Sequence, residues 1–154
     1  MSDFKGVAIK TLSSVEINHL HNSNQHEFHG VSALQSIFGY NRQYFNGEFY
    51  YVESSGRILK GVGELTWYDA REYSPDRTEY RFYYSENVAV NNAKVGDTLV
   101  VALCENNVVK IIIVEQGTKF IDVLKASMGL SSIAEKYQVV NNLSLLSDLA
   151  NALN

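Results

Sequence analysis

The chain of 154 residues has one cysteine and one proline, and no histidine outside one short segment. Each scarcity excludes something. With Cys104 alone, no intrachain disulfide forms, which fits a reducing compartment. Cys104 ends the apolar run Leu99-Val-Val-Ala-Leu, where a thiol reads as a buried strand residue and a poor nucleophile. No apolar run approaches the roughly 18 residues of a membrane span. The opening Met1-Ser-Asp-Phe-Lys-Gly lacks the pattern of a secretory leader. A cytoplasmic, membrane-free protein is expected. Internal repeats and low-complexity segments are absent. Neither a G-x-S-x-G elbow nor a phosphate-cradling glycine loop occurs, and no D…E-x-K nuclease core is visible. Cationic residues number 13 against 17 acidic ones, a net charge of −4. That balance argues against holding nucleic acid by bulk electrostatics, but leaves room for a few arginines placed in clefts.

What the chain does have is apolar residues at 45% and ten tyrosines. Its length suits one domain, or one domain and an extension. Tyrosine and phenylalanine lean it towards strands. Val7–Leu12 alternates weakly, and Ser13 to Gln25 reads as a polar loop before a short strand from Glu27 to Val31. Ser32 is positioned to cap a helix over residues 33–38 that Gly39 ends. Asn41 to Gly47 reads as a loop, Glu48–Val52 and Gly61–Asp69 as strands. Ala70 to Thr78 is a charged loop holding Pro75. In residues 79–84 the rings Tyr80, Phe82 and Tyr84 share one face, with Arg81 on the other. The β-branched runs 98–103 and 108–114, joined by Glu105-Asn-Asn107, predict a hairpin.

After Gly117 the period lengthens. Phe120, Val123, Leu124 and Met128 have helical spacing, with Gly129 as the stop. Ser132 and Glu135 have the spacing of a capping box. Leu143, Leu145, Leu146, Leu149 and Leu153 suggest a last amphipathic helix. The expected fold is mainly β: an open barrel (pseudobarrel) of seven to eight strands with one or two short helices over residues 1–117. Residues 118–154 would form a helical extension or linker.

Two polar segments carry the candidate chemistry. All four histidines lie within the eleven residues from His19 to His29. His19 and His21 form an H-x-H pair, which with Glu27 is similar to the cupin arrangement. Its spacing is one residue too long, and the distant second histidine is missing. A small metal-dependent barrel enzyme using His19, His21, His26 and Glu27 is therefore the alternative reading. A third is an interaction module docking through its leucine-rich C-terminal helix. The two polar segments, Ser23-Asn-Gln-His-Glu27 and Tyr68 to Arg81, are also rich in the side chains that read base edges. Asn or Gln pairs with adenine, Arg with guanine, and Glu or Asp accepts from cytosine.

The order of these features resembles the N-terminal DNA-recognition domain of EcoRII-type restriction endonucleases, a pseudobarrel similar to the plant B-three domain. The resemblance covers residues 8 to 115. It runs through Ile9-Lys10-x-Leu12-Ser13, the Ser-Asn-Gln-His segment and Phe38-Gly39. It continues with Trp67-Tyr-Asp-Ala-Arg71-x-Tyr73, Arg77-Thr-Glu79-Tyr80-Arg81 and Gly96-Asp97-x-Leu99. It implies two major-groove arms: Ser23, Asn24, Gln25, His26 and Glu27 in the first, and Arg71, Asp76, Arg77, Glu79, Tyr80 and Arg81 in the second. Tyr80 replaces the family's lysine, Pro75 a basic residue, and the first arm's His-Gln order is reversed to Gln25-His26. These departures bear on the target sequence more than on the binding mode. Lys10, Arg42 and Lys60 are the candidate phosphate contacts. The implied partner is double-stranded DNA with a short target, and the domain is expected to be monomeric. It needs no cofactor; magnesium would serve a nuclease domain linked on the C-terminal side. Structural roles compete for the same residues. Arg81 is placed to pair with Glu79 or Asp69, Arg71 to brace its loop, Glu27 to balance an arginine, and Gln25 and His26 to bond the loop backbone.

Overall fold

A computed structural model describes residues 4–22, 26–28, 31–74 and 76–140. Ser23, Asn24, Gln25, His29, Pro75 and the leucine-rich stretch after residue 140 lie outside the described residues.

The chain order is β1 (Phe4–Thr11), α1 (Ser14–Asn22), β2 (Glu27–Phe28), a 3₁₀ turn (Val31–Leu34), α2 (Gln35–Phe38), β3 (Gln43–Val52), β4 (Ile58–Asp69), β5 (Tyr80–Tyr84), α3 (Val88–Asn91), β6 (Thr98–Cys104), β7 (Val108–Val114), α4 (Lys119–Met128) and β8 (Gln138–Val140). The strands form one curled sheet in the order β2-β5-β4-β3-β7-β6-β1-β8. Only β3 and β7 pair in parallel; the other neighbours are antiparallel. The expected mainly β pseudobarrel with few short helices is the architecture observed.

The hairpin β6–β7 forms where two β-branched runs meet. Its turn needs a left-handed residue, which Asn107 supplies at φ 65°. Both strands are buried on both faces, which accounts for their unbroken apolar runs. On the inner face, Val101, Ile111 and Ile113 join Phe49, Leu65, Trp67 and Phe82. On the other face, Val100, Ile112 and Val114 meet Leu124 and Met128 of α4. Gly129, left-handed at φ 68°, ends α4 as expected.

Four local readings are corrected. Residues 13–22 are not loop but start α1. Glu16 Oε1 accepts from the Ser13 backbone N–H and hydroxyl, both at 3.1 Å, a capping box that the polar composition hid. The box spacing at Ser132 and Glu135 starts no helix; that segment leads into β8, which pairs with β1. Ser32 caps nothing, because it sits inside the 3₁₀ turn and α2 has no side-chain cap. β3 starts at Gln43 and runs through Gly47, which faces Gly63 across the pair. A Cβ at Gly47 would lie 2.6 Å from Leu65 Cδ1, so glycine here permits close packing inside a strand.

Asp97 joins the end of this sheet. Its carboxylate, almost fully buried, accepts from the Tyr51 hydroxyl at 2.9 Å, Lys94 N at 2.8 Å and Gln116 N at 3.1 Å. Asp97→Asn turns one acceptor into a donor facing donors. The expected loss is about 1–3 kcal/mol in urea unfolding. A wild-type midpoint would show that these bonds contribute nothing.

Candidate nucleic-acid interface

The described residues of the second polar segment form a loop tied at its base. Its base is closed by Ala70 N donating to Glu79 O at 2.8 Å. Asp69 Oδ1 accepts from Arg71 N at 2.9 Å and Glu79 N at 2.8 Å, so both stems hang on one carboxylate. Within the loop, Ser74 N donates to Arg71 O at 2.9 Å. Arg71 Nε donates to Glu79 Oε2 at 3.2 Å. Asp76 and Arg77 are exposed, and Arg77 makes no ion pair with a described residue.

The first segment reaches this loop because β2 pairs with β5. Glu27 faces Tyr83 and Phe28 faces Phe82. That pairing places Glu27 Oε1 3.8 Å from Arg81 Nη1, while Arg81 Nη2 lies 3.6 Å from Glu79 Oε2. Burial works against the Arg81 charge, but Glu27, Glu79 and Tyr68 outweigh it and hold the guanidinium above its ordinary value. His26 accepts Tyr84 N at its carbonyl, at 2.8 Å, and its ring stacks on Tyr84 with centroids 5.7 Å apart. Between the segments lies an open cleft of about 490 Å³, walled by Glu27, Phe28 and Val31 on one side and by residues 78–81 on the other. His19 and Gln35, absent from the expected arms, also line it.

Arg42 belongs to this end as well. It donates to Glu72 Oε1 at 3.2 Å, thirty residues further along the chain. Its guanidinium lies 4.8 Å above the Tyr68 ring. Four of the chain's five arginines (42, 71, 77 and 81) therefore gather around one end of β4 and β5. The other expected phosphate contacts do not join them. Lys10 is 4% exposed and ion-paired with Glu16. Lys60 is exposed, but lies nine residues before Asp69 on β4, about 30 Å away along an extended strand.

Tyr80 braces the site from beneath. It stacks on buried Trp67 at 5.0 Å with an interplanar angle of 9°, and its hydroxyl donates to Tyr40 O at 3.1 Å. Trp67 Nε1 donates to Gly39 O at 3.0 Å. Trp67→Phe retains an aromatic core but leaves that carbonyl without its partner. A loss of about 1–3 kcal/mol is expected in thermal or urea unfolding. An unchanged midpoint would remove the bond from the fold's support.

The described histidines are not gathered as a metal site would require. His19 and His21 sit on α1, and His21 Nε2 lies 2.7 Å from Ala93 O. A carbonyl only accepts, so this nitrogen carries the proton and has no lone pair for a metal. Among the described residues, no group of three or more His, Cys, Asp or Glu side chains is placed to hold an ion.

Strand order, curl and the two converging polar segments define an open pseudobarrel with a charged cleft at one end. No protein-family model and no curated protein matches the chain. Among solved structures, it is similar to the N-terminal domain of Helicobacter pylori LlaJI.R1. That match has a TM-score of 0.53 and 11% identity, covering 89% of this chain and 98% of that one. The crystal structure of the UbaLAI restriction endonuclease B3 domain with cognate DNA matches at a TM-score of 0.35 and 16% identity, over 90% of this chain and 89% of that one. At such identities the likeness to the LlaJI.R1 domain is one of fold.

Proposed function

We propose that this chain is a sequence-specific recognition domain for double-stranded DNA, serving a type II restriction endonuclease. One observation carries the reading: Arg81 lies with Glu27 and Glu79 in the lining of a cleft, Arg71 joins it on Glu79, and Arg42 pairs with Glu72 of the same loop, in a chain that is acidic overall. An arginine fork reads guanine and a carboxylate accepts from the cytosine amino group, so a cleft with both signs suits bases better than phosphates alone. The two polar segments enter the major groove as arms. Ser23, Asn24, Gln25, His26 and Glu27 form the first; Arg71, Asp76, Arg77, Glu79 and Arg81 form the second. Tyr80 contributes by holding the second arm's stem. Arg42 contacts phosphate.

The chain itself cleaves nothing; a linked domain holds the magnesium-dependent nuclease centre. The test is selection of bound duplexes from a random pool at near-physiological salt. Enrichment of one motif of about five to seven base pairs is expected for a domain of this size. Retention of no duplex, even at low salt, would end this reading.

A further inference from the structure

Beyond the arms, the strand registers set solvent-facing residues in rows. Tyr44, Thr66, Tyr83 and Glu27 form one row across β3, β4, β5 and β2. Tyr44 is 69% and Tyr83 42% exposed, unusual openness for large rings on a sheet face. In the neighbouring row, nearer the second arm, Tyr68 faces Arg81, and Arg42 lies over Tyr68. Arg42 also interacts with the Tyr44 hydroxyl, and Arg81 with that of Tyr68. Tyr44 and Tyr83 thus lie beside Arg42 and Arg81, with Thr66 and Tyr68 between them and Glu27 at the end of the first row.

On the far side of the tyrosine row no arginine follows. Asn46 faces Glu64, and Glu48 faces Val62. Glu48 is paired with Lys110, so Glu64 is the charge left open there, and an anionic partner is favoured beside Arg42 and Arg81. Position points to the same occupant. The first arm enters the sheet at Glu27, at the end of the tyrosine row, and the second enters at Tyr80, next to Arg81. A duplex held between the arms lies over this face. The distance from Tyr44 on β3 to Tyr83 on β5 is two strand spacings, about 10 Å, within reach of neighbouring phosphates on one strand.

We propose that Tyr44, Thr66 and Tyr83 bind the phosphodiester backbone of the duplex whose bases the arms read. This rests on the recognition function proposed above. Neutral hydroxyls donate to phosphate oxygens without adding positive charge, so they position the duplex independently of its sequence. They also suit a chain with few cations to spare.

The test is a titration of the full chain carrying Tyr44→Phe and Tyr83→Phe. Each loses a hydroxyl and keeps its ring, and an unchanged melting temperature verifies the fold. The probes are the duplex selected from the random pool and a scrambled duplex, each over a range of salt. Expected is about tenfold weaker binding to both, since hydrogen bonds to a charged acceptor are lost. The selected motif is retained. The slope of log affinity against log salt is also retained, because no cation has been removed. Arg42→Ala should instead flatten that slope by about 0.9. Wild-type affinity in the double variant overturns the proposal. So does a loss confined to the selected motif, which would make the tyrosines base readers. Both results leave the recognition function standing. A wild-type protein that retains no duplex overturns the recognition function and this proposal together.

Discussion

Arg77→Ala is expected to weaken binding to the selected duplex by about 1–3 kcal/mol, and Arg81→Ala by at least as much. The two losses have different origins. Arg77 is exposed and makes no ion pair with a described residue, so its guanidinium gives up no such pair on meeting DNA. Its removal costs the contact alone and leaves the melting temperature unchanged. Arg81 stands between Glu27 and Glu79. Its removal deletes a contact and leaves Glu27 facing a polyanion without its cation, while Glu79 keeps Arg71. Adding Glu27→Gln to Arg81→Ala should therefore restore part of the affinity, a coupling that a double-mutant cycle reads directly. With both arginines gone, the expected loss is about 2–6 kcal/mol, if the contacts are independent. A base reader also relaxes the selected motif at one position, whereas a phosphate contact weakens all sequences alike. Selection with each variant separates these roles. Cognate affinity unchanged in both variants would remove the arginines from the readout.

Lys10→Met is expected to destabilise the fold by about 3–5 kcal/mol, by stranding the Glu16 carboxylate. Both partners are buried, and the Lys10 ammonium also lies 5.1 Å over the Tyr137 ring. Glu16 is additionally the reciprocal half of the α1 capping box. Lys10→Met combined with Glu16→Gln should recover much of the loss, since the glutamine still accepts from Ser13 and no lone charge remains. Urea unfolding of the three variants measures this. Equal destabilisation in the single and double variants would mean that packing at Lys10, and not its charge, supports this corner. The same ion pair explains why a lysine in a strand beside a polar segment is unavailable to phosphate.

Several elements were legible because their physics is local. The β-branched runs around Asn107 left only a hairpin, and the spacing of Phe120, Leu124 and Met128 before Gly129 left only a helix. The alternation in residues 79–84 correctly placed Phe82 and Tyr84 inside and Arg81 outside. α1 was hidden by its polar face, although Ser13 and Glu16 carried its start signal. β8 was hidden because three residues become a strand only by adding to the edge of β1.

The sequence by itself determined the β-rich core, the burial of Cys104 and the composition of two polar segments rich in hydrogen-bonding side chains. Tertiary structure alone decided which cations gather at the end of β4 and β5. Lys10 and Arg42 look equivalent along the chain, but one is drawn inside to neutralise Glu16 and the other is held open between Glu72 and the Tyr68 ring. Strand pairing likewise joined Glu27 to Arg81, and Tyr44 to Thr66 and Tyr83. Such neighbours are set by cross-strand register, a long-range quantity that depends on how the whole sheet closes over its core.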